Sequence, residues 1–598
     1  MYTTQQLKEQ HKHLELAAQS LARLFGEINN EQLQHILSVA KILELEAGQY
    51  IFQQGETGQA FYIVLSGRFR ALQNSEDGIY ILGDISVGEP IGEFSLFTRE
   101  QHSAAVVALR KSTVLRIEDN EYLALIKEFP KFAITLTKFV IERLRRNAQQ
   151  KKMDAAPKNI AIINLQPNND VSAYTSSIQQ QLLEMGLEIK IYNHLSITED
   201  NYPAAFDNMD SQVGLNFLVC DMESPEWAKQ SIAYCDLVFV ATDFNADPDL
   251  YEIEKLLGLY AHNVMKKRMY LLLLHKENAA MPLHTKKWFK DRVFDLHLHI
   301  RENNAADIRR FCRIATHQAI GLVLGGGGAR GFAHVGVIKA LMEAGIEFDF
   351  VGGTSAGAVY GAATTHSDFD MNKLKHWCEL AAKQKPTSND FTLPFVSLLS
   401  GKKMRRFLND IFSNYHMEDL WVNTFCVSTN FSNASLVVHE RGLISKQVEA
   451  SIAIPGVFPP VIINNQLHID GGVIDNLPVE PMYKKPVRHV IAVSLSAEAN
   501  SKIDLLELPT SWQMFWNKIT SGKAIQVPGL SSILVNSITI NSRHRQETSK
   551  PQVSLYIELN LKEFQFLDWV NWQQILQKGY EQTQQQLKET TVDIQFWK

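Results

Sequence analysis

The chain has 598 residues, 45% of them apolar and 21% charged, with a formal net charge of −6. Such a length exceeds one hydrophobic core and calls for about three domains. The mild acidic balance gives no reason to expect a nucleic-acid partner.

The first pattern in chain order is AGQYIFQQGETGQAFYIVLSGRFRAL, short alternating strands broken at Gly48, Gly55, Gly58 and Gly67. It predicts a small β-roll with tight turns. After Gly83 and Gly88 comes IGEFSLFTREQHSAAVVAL, Ile91–Leu109. On these glycine spacings, residues 20–150 resemble the cyclic-nucleotide-binding domain family. The resemblance implies a short helix opening at Gly92 and Glu93, with Glu93 meeting the ribose, and an arginine in a P-R-A stretch for the cyclic phosphate. Here Gln101, His102 and Ser103 fill that stretch, so the arginine is missing. A neutral histidine offers one donor where arginine brings a permanent charge and a fork of donors. The domain, placed at residues 1–152, is therefore expected to bind cyclic AMP or GMP weakly through Glu93 and His102, unless Arg99 takes the phosphate role. A cyclic nucleotide or another small regulatory ligand stays open as its partner. The following stretch, NEYLALIKEFPKFAITLTKFVIERLRRNAQQKK, has helical apolar spacing. In the family such closing helices often carry dimer contacts, which leaves a homodimer open.

Residues 158–318 alternate strand-like runs (IAIINL, NFLVC, DLVFVAT, RMYLLLL) with helical ones (SSIQQQLLEMG, SPEWAKQSIAYC). This order predicts a parallel sheet with helices on both faces. No glycine-rich phosphate loop is found in it, and a spacer or docking role is expected. The cysteines Cys220, Cys235, Cys312, Cys378 and Cys426 have no metal-like spacing and read as reduced thiols. No run approaches the ~18 apolar residues that span a bilayer, and the polar N-terminus lacks a signal-peptide core. A cytoplasmic protein with peripheral membrane contact is the expectation.

The most informative stretch is LGGGGARGFAHVGVIKALMEAGIEFDFVGGTSAG, residues 324–357. It reads as strand, glycine-rich loop, helix, second strand and a G-x-S-x-G turn. Gly326, Gly327 and Gly328 can present N–H groups to the oxygen of an attacked ester. Gly353 and Gly357 flank Ser355 where a strand turns sharply into a helix, leaving the hydroxyl exposed. Gly326, Gly328 and Gly331 also satisfy the dinucleotide fingerprint G-x-G-x-x-G, but the next strand ends in the serine turn rather than in an acidic ribose ligand. A serine acyl hydrolase without metal or cofactor is expected.

Downstream, QLHIDGGVIDNLPVE places Asp470 before Gly471 and Gly472. With ASIAIPGVFPPV (Ala450–Val461), the glycine loop and the serine turn, this order resembles the patatin-like phospholipase family. The resemblance covers about residues 320–500. It implies a Ser355–Asp470 dyad with no triad histidine, Arg330 and Gly331 shaping the loop, and a phospholipid or lysophospholipid substrate. His334 and His468 remain alternative bases, and Arg330 an alternative head-group contact. The order of all three domains resembles the neuropathy target esterase group.

The fold expected is therefore multidomain: an N-terminal β-roll with helices, a central α/β domain, and a patatin-like α/β hydrolase domain at 319–598. FTLPFVSLLSGKKMRRFLNDIF (Phe391–Phe412) joins apolar and basic side chains. It reads either as a segment for a transient membrane surface or as a core helix with a basic outer face. Trp512, Trp516, Trp569 and Trp572 fit an acyl-chain mouth or plain packing, and WQQILQKGYEQTQQQLKET is expected to cover the sheet. A reading from a different class is a ligand-sensing scaffold whose hydrolase domain is inactive.

Overall fold

The computed structural model describes residues 30–75, 78–128, 134–141, 156–166, 171–197, 214–260, 267–495 and 544–590, with a few isolated positions besides. Trp512 and Trp516 lie outside the described residues. The chain divides into two compact units, residues 1–279 with 286–317, and residues 280–285 with 318–598.

The first unit opens with eight short strands: β1 (Lys41–Leu45), β2 (Tyr50–Phe52), β3 (Ala60–Ser66), β4 (Phe69–Ser75), β5 (Gly78–Ile85), β6 (Pro90–Ile91), β7 (Ala105–Ala108) and β8 (Ser112–Glu118). They form two antiparallel sheets, ordered β1-β8-β3-β6 and β2-β7-β4-β5. Alternation along β3 explains why it sits between two apolar clusters. Phe61, Ile63 and Leu65 pack with Leu115 and Ile117, whereas Val64 joins Phe52, Phe69 and Val106.

Six parallel strands follow: β9 (Asn159–Asn164), β10 (Ile189–Tyr192), β11 (Leu215–Cys220), β12 (Leu237–Asp243), β13 (Arg268–His275) and β14 (Leu296–Arg301). Their order is β10-β11-β9-β12-β13-β14. Seven of the eight residues of β13 are buried, as expected for a strand covered on both faces. Buried Asp236, just before β12, meets Arg68 of the roll at 3.3 Å and accepts from the Lys158 and Asn159 N–H groups. Burial pushes this carboxyl up, but Arg68, Arg110 and the two amides outweigh that and hold it well below the usual range.

The second unit is built on one mixed sheet of β15 (Ala319–Leu324), β16 (Phe350–Thr354), β17 (Asn423–Asn430), β18 (Ser435–His439), β19 (Val461–Ile463), β20 (Gln466–Asp470), β21 (Val487–Ser494) and β22 (Leu555–Glu558). The order is β19-β20-β17-β16-β15-β21-β22, with β18 also on β17. The five strands β17, β16, β15, β21 and β22 run parallel, and β20 joins β17 antiparallel. Register then positions the site. Thr354 pairs with Val427, and the next residue, Ser428, pairs with Asp470. The turn after β16 and the end of β20 therefore lie level, one strand apart.

The helix Trp572–Glu589 packs on the helix Phe332–Glu343, and its Gln586 meets Glu558 of the edge strand β22, accepting from the N–H at 3.2 Å and donating to the carbonyl at 2.9 Å. A Cβ at Gly336 would strike the carbonyl of Leu576, and one at Gly579 the carbonyl of Ala333. Glycine on each helix lets the two backbones touch, a cue that apolar periodicity does not carry.

Candidate active site

Ser355 stands between β16 and the helix Ala356–His366 with φ 53° and ψ −119°. A non-glycine residue held at positive φ marks a strained turn, as the G-x-S-x-G spacing predicts. Gly357 makes the turn feasible, because a Cβ there would collide with the carbonyl of Leu324 at the end of β15. Gly353 backs onto Gly357 in the same way. The Ser355 N–H donates to Ser451 Oγ at 3.0 Å, and the Ser451 hydroxyl donates to the Val427 carbonyl at 2.6 Å.

The Ser355 hydroxyl donates to Asp470 Oδ2 at 2.7 Å. The other carboxylate oxygen accepts from the Gly472 N–H, also at 2.7 Å. Both residues are buried. Burial pushes the Asp470 carboxyl up to about 6, against the opposing pull of the Gly472 and Ser355 hydrogen bonds. The aspartate is thus a stronger base than an exposed one and still ionised at neutral pH. Gly471 lies against the Val427 carbonyl, leaving no room for a side chain.

The glycine loop packs directly on the serine turn. A Cβ at Gly326 would fall 3.0 Å from Ser355 Cβ, and one at Gly331 would crowd Ala356 and Tyr360. Gly328 has φ +61° and faces the Phe566 carbonyl. Of the three expected oxyanion donors, Gly326 departs from expectation, since its N–H is engaged by the Asn476 carbonyl at 3.2 Å. The N–H groups of Gly327 and Gly328 make no hydrogen bond among the described residues. Arg330 holds the loop's outer side by donating from Nε to the Phe564 carbonyl at 3.0 Å, beside the Ala329 N–H bond to Phe566 at 2.8 Å.

Neither histidine hydrogen-bonds the Ser355 hydroxyl, whose partner is Asp470. His334 is fully buried and donates from Nε2 to the Gly325 carbonyl at 2.8 Å. Burial lowers it to about 4, so it is neutral and braces the loop. His468 shares the Ser428 hydroxyl with His439, at 2.8 and 2.7 Å. Sequence reasoning gave no role to Ser451, Ser428, His439 or Asn476. Ser451 and Asn476 carried a local signal, since they lie in the stretches quoted around Ala450–Val461 and Asp470, whereas Ser428 and His439 carried none.

The segment Phe391–Phe412 divides in two. Its helix Lys402–Phe412 is a core element, burying Met404, Phe407, Leu408, Ile411 and Phe412 with Lys402, Arg405 and Arg406 outward. Trp569 and Trp572 pack against the same core, and the Trp569 indole donates to Thr387 Oγ1 at 2.8 Å.

In the roll, Gly92 and Glu93 open the helix Glu93–Thr98, and Glu93 is buried. His102 is buried, stacked on Phe52 with ring centroids 3.5 Å apart, and 3.1 Å from Ser95 Oγ. Burial lowers its pKa, so it brings no charge for a phosphate. Arg99 is exposed on the far cap of the helix. All five cysteines are buried and free. No helix among the described residues is long and apolar enough to cross a membrane.

Comparison with known proteins gives three family matches in chain order. Residues 42–129 match the cyclic nucleotide-binding domain, and residues 157–320 the neuropathy target esterase family P-loop like domain. Residues 322–483 match patatin-like phospholipase. The chain is similar to "Lysophospholipase NTE1" of Cryptococcus neoformans, 27% identical over 559 residues, covering 81% of this chain and 34% of that protein. It is also similar to "Patatin-like phospholipase domain-containing protein 7" of Rattus norvegicus, 26% identical over 613 residues, covering 90% of this chain and 45% of that protein. The chain thus spans less than half the length of these curated relatives. Among solved structures, the Thermus thermophilus catabolite activator protein aligns with 27% of this chain and 72% of its own at 27% identity, with a TM-score of 0.20.

Proposed function

We propose that this chain, through its patatin-like phospholipase domain, hydrolyses the carboxylic esters of lipids, with lysophospholipids as the preferred substrates. The observation that carries this reading is the 2.7 Å contact between the Ser355 hydroxyl and Asp470 Oδ2, with the aspartate pushed up to about 6. A base nearer the working pH takes up the serine proton more readily.

In the reaction, Ser355 Oγ attacks the ester carbonyl carbon as its proton passes to Asp470. The Gly327 and Gly328 N–H groups receive the oxyanion. Collapse expels the glycerol alkoxide, which takes the proton from Asp470 and leaves an acyl-serine. Water then attacks the acyl carbonyl, giving its proton to Asp470, which returns it to Ser355 Oγ as the fatty acid leaves. The substrate class rests on the relatives named lysophospholipases and on the patatin-like match. The N-terminal roll is read as a regulatory module that has kept Glu93 and lost the phosphate arginine.

The test is fatty-acid release from a lipid panel by the full chain and by Ser355→Ala and Asp470→Asn. Each substitution should lower kcat by about 10³-fold or more, because nucleophile and base act as one unit. Substantial turnover by a folded Asp470→Asn protein would refute the dyad.

A further inference from the structure

Between the helices Met371–Gln384 and Lys402–Phe412 the chain projects Phe391, Thr392, Leu393, Pro394, Phe395 and Val396, all exposed. Phe391 is 77% exposed, Leu393 73%, Phe395 89% and Val396 65%. Four large apolar side chains within six residues, each mostly in water, far exceed the scattered exposure of an ordinary surface. The projection is nonetheless built. Phe391 bridges to Leu399, and the Thr392 N–H donates to Leu398 at 3.1 Å. Asp390 closes the base by accepting from the Ser400 hydroxyl at 2.6 Å.

The base is fastened to the segment that holds the candidate site. Leu398 and Leu399 donate to the carbonyls of Gly456 and Val457, both at 2.9 Å. Three residues before Gly456, the Ala453 carbonyl accepts the Asp470 N–H at 2.9 Å, and Ser451 accepts the Ser355 N–H. The same segment continues into β19, whose Ile462 is exposed opposite the exposed Leu467 of β20. The first turn of the helix after the projection adds charge. Lys402 and Arg406 lie one turn apart on one face, both exposed, with no ion pair among the described residues. Their neighbours are occupied: Arg405 by Glu449 at 2.7 Å and Lys403 by the Ser388 carbonyl at 2.8 Å.

We propose that the 391–396 projection is a membrane anchor that inserts Phe391, Leu393, Phe395 and Val396 among the acyl chains of an anionic bilayer while Lys402 and Arg406 meet its headgroups. Apolar tips with cations one step behind match the layering of a lipid interface. Fastening to residues 453–457 brings the serine turn to the surface where an ester lipid resides. This deepens the lipid-hydrolase reading and rests on it for the anchor's purpose, though not for its test.

The experiment uses the full chain, sedimented with vesicles of phosphatidylcholine alone or with phosphatidylglycerol. Hydrolysis of a water-soluble short-chain ester is measured in parallel. Wild type should sediment with the anionic vesicles. Phe391→Ser/Phe395→Ser should lower the partition coefficient at least about tenfold and leave soluble-ester turnover unchanged. Lys402→Glu/Arg406→Glu should lose binding to anionic vesicles only, as high salt should also do. Wild-type binding that neither variant weakens, or no binding by wild type, overturns the anchor. So does a dimer that Phe391→Ser/Phe395→Ser dissociates with vesicle binding unchanged, which would assign the projection to a second copy. A wild type that binds vesicles but cleaves no ester would sink the hydrolase reading and leave the anchor standing.

Discussion

The backbone N–H of Ser355 donates to the side-chain oxygen of Ser451, 96 residues away in sequence. The positive-φ turn that exposes the candidate nucleophile is thereby tied to the end of the helix Ile444–Ser451. Ser451→Ala should leave that N–H buried and unpaired, at a cost of about 1–3 kcal/mol in stability. Because Ser451 positions the serine without touching substrate, kcat should fall about tenfold or more with KM little changed. Thermal unfolding and steady-state kinetics on one preparation check both parts.

Ionisation of Asp470 sets a pH dependence of definite sign. The proposed base works only when deprotonated, so ester hydrolysis should rise with pH and reach half its plateau near 6. Stability runs the other way. A carboxyl raised from its ordinary value of 3.8 to about 6 makes its charged form cost roughly 3 kcal/mol in the folded state. The stability it contributes is full below about pH 4 and lost as pH climbs through 6. Asp470→Asn should therefore stabilise the chain above pH 6 and give no gain below pH 4. Denaturant melts at pH 4 and pH 8 would expose the reverse order.

Cyclic AMP and cyclic GMP should bind weakly at micromolar concentration. His102 is buried, neutral and stacked on Phe52 where the resemblance places a phosphate arginine. His102→Arg should raise affinity by at least about tenfold, the worth of a charge-assisted pair to phosphate. Calorimetry on the full chain decides it, and tight binding by wild type would mean that another residue supplies the charge.

Single-chain lipids should be cut faster than two-chain ones. Drawing a second acyl chain out of a bilayer costs about 0.8 kcal/mol for each buried CH₂. Fatty-acid release from lysophosphatidylcholine and from matched diacyl vesicles compares them, and a preference for the diacyl lipid would contradict the proposed substrate class.

Much of the site was legible because its parts are local. A glycine loop, a serine turn and an aspartate before two glycines each announce a backbone geometry in a few residues. Their meeting was not legible, since it depends on the register in which Thr354 pairs with Val427 and Ser428 with Asp470. The supports were hidden for a related reason: Ser451 lies in the quoted Ala450–Val461 stretch, but nothing local gives it a role until the fold carries it to Ser355. Gly326 looked like a donor because sequence shows that an N–H is available but not that the Asn476 carbonyl already takes it. Periodicity identified the apolar face of Lys402–Phe412 and gave no sign that the six residues at Phe391 would stay in water.

Residues 325–331 are held in shape by carbonyls of Phe564 and Phe566, and their helix is packed through Gly336 against Leu576 and Gly579. A ribosome therefore makes the two halves of this arrangement more than 230 residues apart, N-terminal half first. Until the later half emerges, the glycine loop lacks the contacts that fix it. A growing chain would carry Ser355 and Asp470 for some time before the loop beside them is held in place by residues made much later.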